Sequence, residues 1–154
     1  MNKIVPGLLI AASFLYTSCA DEYTICESPV NVTLQADFYK NNGTADVLTQ
    51  PGSFSIATLS GISILTNVSN RPGFSVSLNA AADTSAFVIS IEGNTSDTFK
   101  VAYSTQVQTI SANCGNVNIH NISAISTTHH TIDSIQLVNP AVNTSLQQNL
   151  RIIY

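Results

Sequence analysis

The chain has 154 residues and a formal net charge of −4, and only 9% of its residues are charged. This length predicts one domain with a substantial core. The 5 basic residues are scattered along the sequence, so they cannot build the clustered patch that phosphate contacts require. The composition therefore argues against nucleic-acid binding. A polar surface made mainly of Ser, Thr and Asn is typical of an extracytoplasmic β domain.

The N-terminal region has the three parts of a secretory signal. Lys3 precedes an apolar run of about 13 residues, residues 4–16, and the small residues Thr17 and Ser18 follow. A membrane-spanning helix needs about 20 apolar residues, so we interpret the run as a cleaved signal. The predicted organisation is a signal peptide over residues 1–18, a tether over residues 19–29 and a β-sandwich domain over residues 30–154.

Cys19 directly follows this segment, where it resembles the lipobox cysteine of bacterial lipoproteins. The resemblance implies that Cys19 carries lipid, and two or more acyl chains such as palmitate hold a domain stably on a bilayer. Asp21 and Glu22 resemble the surface-export signal of Bacteroidota lipoproteins, with an acidic linker as the alternative. We expect a lipid anchor in a bacterial outer membrane, with the domain in the periplasm or on the surface. The alternative is an ordinary cleaved signal, with Cys19 as a free or disulfide-bonded thiol.

The three cysteines suggest one disulfide. If Cys19 takes lipid, Cys26 and Cys114 remain as an even pair in an oxidising compartment, where a disulfide can persist. Such a bond would close a long loop and contribute up to about 4–5 kcal/mol in the chain-entropy model. The alternative is two buried, reduced thiols.

Alternating apolar and polar residues dominate the chain after the tether and predict β-strands. Clusters of Gly, Pro and Asn separate the alternating segments. The predicted strands cover residues 30–38, 53–58, 62–66, 74–78, 87–92, 98–108, 117–126, 132–138 and 150–154. About nine short strands at this spacing predict an all-β fold, an antiparallel β-sandwich that is Ig-like or related.

The apolar positions of these strands predict the core. The chain has no Trp, so the antibody-type core pattern of Cys, Trp and Cys is missing. The expected core residues are Phe38, Phe54, Ile56, Leu65, Phe74, Val76, Leu78, Phe87, Ile89, Ile91, Phe99, Val101, Tyr103, Ile119, Ile135 and Leu137.

Several short features together carry a family resemblance. They are Cys19, Cys26, residues 97–101, the Cys114 and Gly115 pair, and residues 149–154. With these features the chain resembles a group of small, uncharacterised Bacteroidota lipoproteins, a family of domains of unknown function. The resemblance covers nearly the whole chain and implies no activity.

His129 and His130, with His120 nearby, form the one cluster that suggests a metal site. Neighbouring residues on a strand point to opposite faces, so the two adjacent histidines share an ion only if they lie in a turn. Asp133 would then be a third ligand. Because zinc needs three or four converging ligands, a polar loop is the favoured interpretation, and we expect no metal and no cofactor.

Enzyme motifs are missing from the sequence. No serine lies in a nucleophile-elbow or Ser-x-x-Lys pattern, and most carboxylates lie beside turns, where they usually accept local backbone hydrogen bonds. We therefore expect no enzyme. Asp133, Ser134 and Ile135 resemble the short O-glycosylation signal of Bacteroidota, which makes Ser134 a weak glycosylation candidate.

These observations predict a lipid-anchored accessory or interaction protein, attached to the membrane by lipid and meeting an outer-membrane protein partner through loops or an edge strand. The first alternative is a carbohydrate- or peptide-binding module, for which an exposed aromatic platform is expected. The aromatic candidates are Tyr23, Tyr39, Tyr103 and Tyr154. The second alternative is a small metal-dependent enzyme that uses His129 and His130.

Overall fold

A computed structural model describes residues 30–111 and 113–154 of the chain. The secondary structure of this part is all β, with eleven strands. In chain order they are β1 (Leu34–Asn41), β2 (Asp46–Leu48), β3 (Phe54–Thr58), β4 (Ser63–Val68), β5 (Gly73–Val76), β6 (Thr84–Ile91), β7 (Asp97–Ser111), β8 (Gly115–Thr127), β9 (Ser134–Leu137), β10 (Ala141–Val142) and β11 (Leu150–Ile153). The predicted all-β class is confirmed. The two short strands β2 and β10 are additional to the nine expected.

The strands form two sheets in a sandwich-like arrangement, as predicted. In the five-stranded sheet, β11 and β9 lie on one side of β1, while β5 and β2 pair with successive parts of its other edge. The six-stranded sheet has the order β10-β8-β7-β6-β3-β4, and all of its pairs are antiparallel.

One pair departs from the antiparallel rule. β1 and β11 run parallel, with Ala36 opposite Leu150 and Tyr39 opposite Ile153. Parallel neighbours need a long connection between them. Here nearly the whole described chain forms that connection, so the first and last strands meet inside one sheet.

The core lies between the two sheets and is rich in aromatic rings. Phe38 of the five-stranded sheet packs against Phe54 of the other sheet, with ring centroids 4.9 Å apart. The Phe74 ring packs against Phe99, and the Phe99 ring stacks on Phe87. Most of the predicted core is buried, which confirms the period-two pattern as its signal.

Ile119 was predicted to be in the core, and this prediction is wrong in detail because a bulge reverses the alternation of β8. Val101 pairs with Ile125, but Tyr103 pairs with Ile122, so β8 has one extra residue here, Ser123. An extra residue interrupts the alternation, so the side chains on its two sides no longer follow one inward and outward pattern. Ile122 and His120 are therefore buried, whereas Ile119 is only half-buried.

Leu137 is a second correction to the predicted core. It lies opposite buried Leu150, so the two share a face, but its strand β9 is at the edge of the sheet. Its side chain is 41% exposed because less of the sandwich covers the edge. Leu65 and Ile135 are partly buried against the core.

Candidate functional site

The two longest strands, β7 and β8, continue as a two-stranded ribbon beyond their neighbours. β6 pairs with β7 only as far as Ala102, and β10 pairs with β8 at two residues, the last being His120. β7 and β8 pair with each other as far as Gly115. We call residues 106–111 and 115–119 the ribbon. No described strand pairs with its outer edges, so they are available to an added strand.

The ribbon surface is uncharged and partly apolar. Between Lys100 and Arg151 the only charged residue is Asp133, which lies outside the ribbon. Val107 is 68% exposed and Ile110 is 36% exposed. Natural edge strands are usually protected by charged side chains, especially Lys, against pairing with another chain. The ribbon lacks this protection, and it is therefore suited to contact another protein.

A pocket of about 280 Å³ lies at the base of the ribbon, between β7, β8 and the short strand β10. Its lining combines uncharged polar side chains with a smaller apolar part. The polar residues are Ser104, Gln106, Asn121 and Asn143, and the apolar ones are Ile119 and Ala141.

Most polar side chains of this pocket have unused hydrogen-bonding capacity. Those of Ser104, Gln106 and Asn121 make no hydrogen bond to another described residue. Asn143 Oδ1 accepts hydrogen bonds from the backbone N–H of Ser145 at 2.9 Å and from its hydroxyl at 2.6 Å. Because a backbone N–H only donates, this contact identifies the Asn143 oxygen and leaves the two N–H donors of the amide free.

His120 also lines the pocket, and it joins the pocket to the core. Its Nδ1 lies 2.9 Å from the Thr105 hydroxyl, and its ring packs edge-on against Tyr103 with centroids 5.1 Å apart. Burial lowers the pKa of His120 from its ordinary value of 6.5, which favours a neutral imidazole at neutral pH. Thr105 and Tyr103 therefore hold an uncharged ring at the base of the ribbon.

Asp97, the first residue of β7, organises the loop that follows β8. One carboxylate oxygen accepts hydrogen bonds from the Thr128 hydroxyl at 2.6 Å and from the backbone N–H of His130 at 2.8 Å. The other accepts from the backbone N–H groups of Thr131 and Ile132, at 2.7 and 2.8 Å. Burial alone would raise the pKa of Asp97, but these hydrogen bonds outweigh it and hold the pKa well below its usual range. This arrangement is structural, but its donors lie 31 to 35 residues away in sequence, so they are not the local backbone bonds predicted for carboxylates beside turns.

The two adjacent histidines lie in this same loop. His130 Nδ1 is 3.0 Å from the Asp97 carboxylate, and His129 Nδ1 is 3.2 Å from the carbonyl oxygen of Ile132. His120 belongs to a different part of the fold, at the pocket. In residues 30–111 and 113–154 there is no group of three or more His, Cys, Asp or Glu side chains placed to hold a metal ion. The metal-dependent alternative therefore has no supporting geometry in this part of the chain.

The tyrosine candidates do not form an exposed aromatic platform in the described part. Tyr103 is buried, and its hydroxyl donates to the Asn79 carbonyl oxygen at 2.8 Å. Tyr39 and Tyr154 are half-buried, and cations lie over both rings, the Arg151 guanidinium over Tyr39 at 5.0 Å and the Lys40 ammonium over Tyr154 at 4.7 Å. Tyr23 lies outside the described residues.

The remaining predicted site residues lie apart from the pocket. Ser134 is the half-buried first residue of the edge strand β9. Cys114 lies in the turn at the tip of the ribbon, where its backbone N–H donates to the Ser111 hydroxyl at 3.0 Å. Cys19 and Cys26 lie outside the described residues, so lipidation and the disulfide pairing stay predictions.

The pocket amides were not predicted from the sequence. Gln106, Asn121 and Asn143 come from three strands or their ends, and no spacing rule connects them. A signal in the sequence does mark this region. The stretch between Lys100 and Arg151 contains a single charged residue, which is unusually few for a protein surface. That region contains the ribbon and all the pocket residues.

The fold and the site together define a small all-β protein with a projecting uncharged ribbon and a neutral polar pocket. Residues 53–154, about two thirds of the chain, match the family of unknown function DUF6452. The chain therefore belongs to the DUF6452 family, which is consistent with the predicted membership of an uncharacterised family. No curated protein and no solved structure matches it. Within the described residues, no helix combines the length and apolarity needed to cross a membrane.

Proposed function

We propose that the protein is a non-catalytic, lipid-anchored interaction module of a bacterial outer membrane, and that the ribbon is its contact surface. The observation that carries this proposal is that no described strand pairs with the outer edges of residues 106–111 and 115–119, which carry no charged side chain. Backbone groups on such edges bind an added strand through main-chain hydrogen bonds. The lipid would hold the domain at the membrane, and the ribbon would meet the partner.

The anchor is supported by the sequence around Cys19. The short apolar run, the small residues and the cysteine follow the order expected for a lipoprotein signal. Two or more acyl chains provide the stable attachment that a single chain does not. Asp21 and Glu22 resemble a surface-export signal, so the domain would lie on the cell surface, or in the periplasm if the pair is only an acidic linker.

A disulfide between Cys26 and Cys114 would bring the anchor and the ribbon together. With Cys19 carrying lipid, Cys26 is the one cysteine left to pair with Cys114. Cys26 is seven positions after Cys19 in the sequence, and an extended chain covers at most about 3.5 Å per residue. The ribbon tip would therefore lie within about 25 Å of the lipid.

This geometry favours one kind of partner. A ribbon tip held close to the bilayer meets proteins at the membrane surface before it meets proteins in bulk solution. Its open edges fit an extended segment or an exposed strand, and its lack of charge fits a segment without charged side chains. We therefore propose an outer-membrane protein that offers such a segment at the membrane surface.

Photo-crosslinking in native membranes tests this contact. A photoreactive amino acid replaces Val107 on the ribbon, or Ile62 in the β3–β4 turn as the matched control. Val107 is 68% exposed and Ile62 is 67% exposed, so the two probes are equally accessible and differ only in their position in the fold. We expect a defined adduct with one membrane protein from position 107 and none from position 62.

A second pair of variants tests whether the contact uses the ribbon edge. Gln108→Lys with Ile110→Lys adds the charges that protect natural edge strands, while Ile62→Lys adds a charge elsewhere. The adduct from position 107 should disappear in the first variant and persist in the second. Equal adducts from both probe positions, or an adduct that survives the ribbon lysines, would contradict the proposal.

A further inference from the structure

We infer that the pocket at the base of the ribbon binds a neutral sugar. The pocket is lined by the side chains of Ser104, Gln106, Asn121 and Asn143, with Ile119 on its apolar part. This inference does not depend on the proposed ribbon contact, because it rests on residues at the base of the ribbon and on different chemistry.

Its size fits a small ligand. Ligand pockets usually measure about 300–1,000 Å³. The volume here, about 280 Å³, lies just below that range. A drug-sized molecule or a folded peptide would exceed it, whereas one or two sugar rings match it.

The hydrogen-bonding groups fit hydroxyls. A sugar hydroxyl both donates and accepts, so it needs partners of both kinds. The free amides of Gln106 and Asn121 offer both, the Ser104 hydroxyl offers both, and the oriented Asn143 amide offers donors. Because the side chains of Ser104, Gln106 and Asn121 and the N–H donors of Asn143 make no other hydrogen bond in the described part of the chain, a ligand gains contacts without breaking internal ones.

The lack of charge selects against ionic ligands. Among the described residues, no lysine, arginine, aspartate or glutamate lines the pocket, and the His120 imidazole is buried. A phosphate or carboxylate would lose its hydration here without gaining an opposite charge. A neutral hydroxylated ligand loses less hydration, and its C–H groups can pack on Ile119 and Ala141.

Solution NMR of the full-length protein in detergent micelles tests the inference directly. The probes are neutral hexoses and N-acetylhexosamines, each as a monosaccharide and as a disaccharide, with glucuronate and inorganic phosphate as charged comparisons. For a small ligand held by hydrogen bonds between uncharged groups, we expect a Kd of about 1 mM. We expect saturable shifts of the side-chain amide signals of Gln106, Asn121 and Asn143 with at least one neutral sugar.

Two variants and a matched control confirm the location. Gln106→Ala and Asn121→Ala should each weaken binding about tenfold, as expected for the loss of one amide's hydrogen bonds. Asn118→Ala changes the same residue type on the same strand outside the pocket lining, and it should leave the Kd unchanged. Unfolding midpoints of the three variants verify that each is folded.

Three results would overturn the inference. The first is the absence of shifts at the pocket amides up to about 50 mM of every neutral sugar, well above the expected Kd. The second is equal or tighter binding of glucuronate or phosphate. The third is equal weakening by Asn118→Ala, which would place the ligand elsewhere. Binding of a disaccharide but not of monosaccharides would support a glycan as the ligand class instead of a free sugar.

Discussion

At the residue scale, the most informative side chain is Asp97. It is 1% exposed, yet it stays ionised because the Thr128 hydroxyl and three consecutive backbone N–H groups bind its two oxygens. A buried carboxylate is costly unless it is fully hydrogen-bonded. Here the carboxylate satisfies the donors of residues 130–132, so one side chain fixes the whole loop after β8.

The first prediction concerns the stability of an Asp97→Asn variant. The amide has nearly the same shape, but its NH2 group would face N–H donors of the loop. We expect the free energy of unfolding to fall by about 3 kcal/mol, measured by urea denaturation. Asp83→Asn, at an exposed carboxylate, should change it by about 0.5 kcal/mol or less. A loss as small as that of the control would contradict the role given to Asp97.

The second prediction is the pH dependence of the same interaction. The pKa of Asp97 is lower in the folded protein than its ordinary value of 3.8, because the hydrogen bonds of the loop outweigh the effect of burial. The stabilisation is therefore complete above about pH 5 and is lost progressively as the pH falls below 4.

Urea unfolding of wild type and Asp97→Asn from pH 7 to about pH 2.5 measures this loss. The pKa of Asp37 is shifted in the opposite direction. Burial raises it, and the hydrogen bond from Gln148 lowers it by a smaller amount. Asp37 and His120 titrate in both proteins, so the difference between the two isolates Asp97. That difference should shrink as the pH falls. A constant difference would mean that the carboxylate charge is not involved.

At the element scale, β11 decides whether the five-stranded sheet forms. It lies between β1 and β9, and its Leu150 and Ile152 are fully buried. Since β1 and β11 come from opposite ends of the described chain, their pairing closes the longest loop in the fold. Closing so long a loop costs chain entropy, which the packing of buried side chains on β11 must offset.

The third prediction is that Ile152→Ala costs about 3 kcal/mol, because a large buried side chain leaves a cavity. Val138→Ala is the control, since Val138 is 46% exposed just after β9 and should cost about 0.5 kcal/mol or less. Guanidinium or urea unfolding of both variants gives the comparison. Equal costs would show that β11 does not form the centre of its sheet.

The elements also show which parts of the fold the sequence predicts. Alternation in β3, β6 and β7 carries a strong periodic signal, and the buried apolar residues of these strands match the predicted core. The failure at Ile119 has a local physical cause, because the extra residue Ser123 reverses the alternation. The short strands β2 and β10 are three and two residues long, too short for a period to be recognised. The parallel β1–β11 pair depends on the tertiary fold, and no local signal encodes it.

The functional site was less predictable than the core for a related reason. Burial follows a local pattern, whereas the pocket brings Ser104, Asn121 and Asn143 together through strand pairing. The one compositional signal for this region is that residues 101–150 contain a single charged side chain, and none of the sequence-based predictions used it. A stretch with so little charge is suited to contacts with neutral partners.

At the scale of the whole molecule, the proposed N-terminal lipid anchor would hold the ribbon near the bilayer, where the ribbon would meet its partner. The ribbon would need the anchor, because an uncharged open strand edge in bulk solution would favour self-association. The anchor would restrict the domain to the membrane surface, and a Cys26–Cys114 bond would orient its ribbon toward that surface.

The most direct test is the intact mass of the protein purified from its native membranes. We predict the mass of the chain from Cys19 to Tyr154 with its attached acyl chains, less two protons for one disulfide. This result would establish the anchor and the disulfide in one measurement. A chain of that length without acyl groups, or one that still contains residues 1–18, would contradict the lipid-anchored module.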